Sequence, residues 1–122
     1  MDNTEVVNNT SKYIVKTTGI GSETNQELVD AEKLAEGTDG SKVSLIECYY
    51  LIEGTGTLTI SAASETETQA AGKTVAKPLS LTGKGKYGLR PDQLQFGNDK
   101  IFKITTDENV KSYLLVTEFR RN

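Results

Sequence analysis

Two long runs constrain this chain more than anything else in it. Residues 42–53, read as an extended strand, carry Val43, Leu45, Tyr49 and Leu51 on one face and Ile46, Cys48, Tyr50 and Ile52 on the other. Glu47 alone interrupts the first face. Residues 110–120 repeat the pattern through Tyr113, Leu114, Leu115, Val116 and Phe119. Successive side chains of a strand point to opposite faces, so a strand apolar on both sides has to be covered on both sides. The cover is either a second layer of the same domain or another chain.

The rest of the sequence supplies short strands and turns. Residues 11–18 are β-branched and aromatic (Tyr13, Ile14, Val15) and end at Gly19 and Gly21. Residues 26–34 are ambiguous, because Leu28, Ala31 and Leu34 fit a helix face whereas Leu28 and Val29 could begin a strand; a strand with a terminal helical turn is favoured. Asp39-Gly40 signals a tight turn. Gly54-Thr55-Gly56 is read as the turn of a hairpin into Leu58, Ile60 and Ala62, which alternate with Thr57, Thr59 and Ser61. Residues 64–77 form an exposed loop. Strands are expected at 78–82 and 93–96, with a glycine bend or bulge at 83–89 and a turn at 90–92. After a turn at 97–99, residues 100–105 place Phe102 and Ile104 on one face, and 107–109 make the last turn. Turn signals every 8–12 residues, without intervening helical segments, predict an all-β fold: an antiparallel β-sandwich or small barrel of seven to eight strands. Residues 1–10 are polar around Val6 and Val7 and read as an N-terminal arm, leaving 11–122 as a single domain.

Composition narrows the function. The formal charge of -3 gives neither the basic stripe expected for nucleic acid nor a polybasic membrane surface. No run approaches the length of a membrane-spanning helix, and residues 1–5 lack the features of a secretory signal. The expected setting is a cytoplasm or a particle assembled there. The sequons at Asn8 and Asn9 are then chance. Histidine is absent, so a Ser–His–Asp triad and a Cys–His dyad are impossible and the commonest metal ligand is missing. Cys48, the single cysteine, reads as a buried inert thiol and has no partner for an intrachain disulfide. Gly83-Lys84-Gly85-Lys86 lacks the spacing and following helix of a phosphate loop. Asp99 and Asp107-Glu108 do not match a calcium loop. The sequence therefore predicts no enzyme activity, no cofactor and no metal.

What remains is adhesive surface. A chain with 35% hydrophobic residues is too lean to bury both runs twice, so the expectation is docking on another protein chain, including copies of itself. The candidate interface residues are Ile46, Cys48, Tyr50, Ile52, Leu114 and Val116. The competing reading is that loops or a second sheet cover both faces.

Four stretches carry a family resemblance: residues 46–56, residues 81–87 (Leu-Thr-Gly-Lys-Gly-Lys-Tyr), residues 104–106, and the ending at 112–120. Across the latter two-thirds of the chain they resemble small β-sandwich virion structural proteins of tailed bacteriophages. The resemblance implies a head decoration or cement protein that binds the major capsid protein shell, assembled in the host cytoplasm and located on the virion. A carbohydrate- or receptor-binding module of a phage tail or fibre is the alternative.

Overall fold

The computed structural model describes residues 1–34, 37, 40–62, 79–88 and 98–121. Its ten strands are β1 (Asp2–Asn8), β2 (Lys12–Ile20), β3 (Glu23–Asp30), β4 (Val43–Gly54), β5 (Leu58–Ala62), β6 (Leu79–Leu81), β7 (Lys84–Tyr87), β8 (Asn98–Asp99), β9 (Ile101–Thr106) and β10 (Val110–Arg121). They form two antiparallel sheets. The larger has the order β1-β2-β10-β4-β7, with the short β8 also on β4; the smaller has the order β3-β9-β5-β6. The sheets do not close on one another, so the fold is sandwich-like and not a barrel. The loop expected at 64–77, the turn at 90–92 and the strand at 93–96 lie outside the described residues.

The core lies between the sheets. Val15, Val43, Leu45, Cys48, Leu115 and Phe119 face it from the larger sheet, and Leu28, Leu58, Ile60, Phe102 and Ile104 from the smaller one. The Phe102 and Phe119 rings meet with centroids 5.2 Å apart, tying the two layers together. The alternation in β5 is as the sequence predicts, with Leu58, Ile60 and Ala62 buried. Residues 26–34 combine both readings: β3 runs to Asp30, and a single 3-10 turn follows at Ala31–Lys33. Asp30 caps that turn, its carboxylate accepting from the Glu32 amide at 3.1 Å.

Three expectations are corrected. Residues 2–8 are not an arm but the edge strand β1, paired to β2 from Asp2↔Thr18 to Asn8↔Tyr13. An edge strand has one paired side and here little burial, so its composition resembles that of a loop. The chain from β4 to β5 is not a hairpin, because the two strands belong to different sheets. Gly54, at φ 103°, carries the chain across. A Cβ on Gly56 would collide with Asp107 and Val110 of the neighbouring turn. Asp107 holds both segments, accepting from the Thr57 amide and the Asn109 amide at 2.9 Å each. A further crossing, from β2 to β3, lies against the same end: the Gly21 amide donates to the Lys111 carbonyl, and the Thr106 hydroxyl donates to the Gly21 carbonyl.

The third correction concerns β4. Its register against β10 shifts between Glu118↔Glu47 and Phe119↔Leu45, leaving Ile46 as an extra, bulged residue. Val43 and Leu45 are buried before the bulge, Cys48 and Ile52 after it. Much of the two-sided apolar pattern is thus one inward face that changes phase at Ile46. Gly88 makes the bulge possible from the other side, since a Cβ there would strike the Ile46 carbonyl oxygen.

Candidate functional site

After the phase change, β4 turns Tyr49 and Leu51 outward, 48% and 44% exposed. Register places them beside Val116 and Leu114 of β10, both half-buried. Inward-facing Tyr113, Leu115, Thr117 and Phe119 alternate with this pair, so Leu114 and Val116 belong to the outer face. The four apolar side chains sit over the centre of the larger sheet and line a shallow groove of about 290 Å³ together with Tyr50, Lys84 and Gly85.

Charged residues border this patch in a regular way. Across the strands, Lys16 of β2 flanks Val116, and Lys84 and Lys86 of β7 flank Leu51 and Tyr49. Along the strands, Glu118 and Glu47 lie beyond one end and Glu53 beyond the other. The Lys86 ammonium lies 4.5 Å from the centroid of the Tyr49 ring and 3.6 Å from the Glu47 carboxylate. Hydrogen bonding to Tyr49, followed by the Glu47 charge, holds its pKa above the ordinary lysine value. Among the described residues Lys16, Lys84, Glu53 and Glu118 form no ion pair.

The candidate interface residues divide accordingly. Leu114 and Val116 are on the outer patch. Cys48 and Ile52 are in the core, 0% and 4% exposed, and cannot contact a partner from there. Tyr50, half-buried, packs against the core, and it also lines the groove beside Gly85. Ile46, half-buried in the bulge, lines a separate small pocket with Lys12, Glu118 and Arg120. Tyr49 and Leu51 take the place of Cys48 and Ile52 on the outer face. The even and odd positions of β4 look equally apolar in sequence, and only the bulge decides which set faces out.

Among the described residues no reactive constellation accompanies the patch. Burial, then the neighbouring Glu47 charge, pushes the Cys48 thiol up to about 12, leaving it protonated at neutral pH. Among the described residues no three His, Cys, Asp or Glu side chains converge as a metal site would require, and no helix is long and apolar enough to cross a membrane. At the sheet-crossing end the Tyr113 hydroxyl donates to Glu23, a link between the two sheets. Burial first, then that carboxylate, holds the Tyr113 pKa well above the usual phenol value. Compared with family models, curated proteins and solved structures, the chain matches none.

Proposed function

We propose that this protein is a non-enzymatic structural component that acts through protein–protein contact, and that it is a capsid decoration protein bound to the major capsid protein shell of a tailed bacteriophage. The observation that carries the contact reading is the outer patch of Tyr49, Leu51, Leu114 and Val116. Four contiguous apolar side chains at the centre of a sheet, bordered by charge, have the anatomy of a docking surface: an apolar middle with a polar rim. The assignment to a phage shell rests on the sequence resemblance of residues 46–56, 81–87, 104–106 and 112–120. Repetition over a shell lattice would let small contacts, on this face or on others, suffice through avidity.

The alternative, a carbohydrate- or receptor-binding module of a tail or fibre, is less well supported by the same patch. A sugar platform needs an open aromatic face, and Lys86 lies over the Tyr49 ring. Electron microscopy of particles carrying the labelled protein tests the proposal. Label distributed over the head in hundreds of copies is the expected result; label confined to the neck or tail tip overturns the decoration role.

A further inference from the structure

The outer patch is self-complementary in its charge, and we infer that its occupant is a second copy of this chain, packed face to face with strands crossing near right angles. The inference deepens the proposed function and rests on its premise that protein covers this face. It leaves the shell to be contacted by other surfaces.

Strands spaced roughly 4.8 Å apart, with same-face residues roughly 6.7 Å apart along each, turn the observed register into a flat map. The centre of the map is Tyr49, Leu51, Leu114 and Val116. Lys16 lies to one side and Lys84 to the other; Glu118 lies toward one end and Glu53 toward the other. Two copies stacked with aligned strands would set like charges against each other. A twofold axis along the strands puts Lys16 over Lys86 and Glu118 over Glu47; one across them puts Lys84 over Lys86 and Glu47 over Glu53. Both arrangements are penalised.

A twofold axis on either diagonal does the reverse. It exchanges the sides of one copy with the ends of the other, so each of Lys16 and Lys84 comes to lie over Glu118 or Glu53, within roughly 3 Å on the map. The apolar centres superpose at the same time. Near-perpendicular stacking is an established way for sheets to pack, and a twofold contact repeats every pair it makes. Each of the four charged groups lacks an intrachain ion-pair partner among the described residues. The patch covers roughly 400–500 Å², below the ~800 Å² per partner of a stable complex, which makes this a weak and reversible dimer.

Sedimentation of the full chain and two double variants decides the matter. The wild type is expected to dimerise with rising concentration below about 1 mM. Reversing both bases (Lys16→Glu with Lys84→Glu) makes every border charge but Lys86 acidic, and reversing both acids (Glu53→Lys with Glu118→Lys) makes every border charge but Glu47 basic. Each variant alone is expected to self-associate at least about tenfold more weakly, because every lost pair is lost twice and replaced by repulsion. Mixed one to one, they are expected to associate at least as tightly as the wild type. Circular dichroism and thermal unfolding check that both variants fold. A wild type that stays monomeric, folded variants that self-associate like the wild type, or a mixture that fails to associate would each overturn the dimer. Head labelling without self-association refutes the dimer alone. Self-association without head labelling refutes the decoration role alone.

Discussion

Thr117 and Thr17 are chemically identical and energetically opposite. Both are fully buried on the inner face of the larger sheet. The Thr17 hydroxyl donates to the Asn3 side chain at 2.6 Å, joining β1 to β2. The Thr117 hydroxyl, placed between Cys48 and Val15 by register, has no partner among the described residues. An unpaired buried hydroxyl loses its water without compensation, at a cost of about 1–3 kcal/mol. Thr117→Val keeps the β-branched shape and removes that penalty. Urea unfolding is expected to show it as stable as the wild type or more so, by up to about 1 kcal/mol, whereas Thr17→Val loses about 1 kcal/mol with its hydrogen bond. The reverse order would mean that Thr117 has a partner in the folded protein.

At the level of elements, the bulge in β4 governs both the core and the patch. Ile46→Ala trims a half-buried side chain and leaves the phase change intact, so a loss of about 1 kcal/mol is expected. Deleting Ile46 removes the extra residue itself. Either Val43 and Leu45 or Cys48 and Ile52 must then turn outward, because a one-residue slip moves side chains to the opposite face. The deletion is expected to unfold the protein or cost several times more than the alanine substitution in the same urea titration. Comparable losses would show that β4 tolerates a regular register. The bulge also marks where sequence stops informing. Leu58, Ile60 and Ala62 announce their burial because polar residues alternate with them, and Leu114 and Val116 are legible as half the patch. Residues 45–52 contain no polar phase marker except Glu47, so the outward pair Tyr49 and Leu51 is hidden behind Cys48, Tyr50 and Ile52. Gly54-Thr55-Gly56 misleads for a different reason: glycine permits a hairpin and a crossing between sheets alike, and the deciding contact, Asp107, comes 50 residues later. β1 is missed because exposed edge strands are selected for polarity.

For the molecule as a whole, the same composition that excludes histidine chemistry sets the response to pH. With no histidine, no side chain of ordinary pKa titrates between pH 6 and 8, so stability is expected to be flat there. The change comes on the alkaline side. Burial raises the pKa of Cys48 to about 12 from an unfolded value of 9.0, and those of Tyr13 and Tyr113 also rise above 10.0. A group whose folded pKa is raised holds its proton in the folded state while the unfolded chain releases it. Its contribution is therefore complete below the unfolded pKa and is lost as pH climbs toward the folded value, at up to about 1.4 kcal/mol per pH unit per group. The Met1 α-amino group, raised from 8.0 by its hydrogen bond to Glu23, lies at the foot of this window; Cys48 is the first side chain to enter it, from about pH 9, and the two tyrosines follow from about pH 10. Urea unfolding at intervals from pH 7 to 10.5 should show a plateau and then a decline, with the early part of the decline missing in Cys48→Ala. That variant starts less stable, because it loses buried sulfur, but its stability should fall by about 1 kcal/mol less than that of the wild type between pH 9 and 10. Parallel curves for the two proteins would mean that the thiol ionises in the folded state as readily as in the unfolded one. Cys48 would then be accessible to solvent, and the bulge would not direct the second half of β4 into the core, so Tyr49 and Leu51 would no longer form an outer patch with Leu114 and Val116.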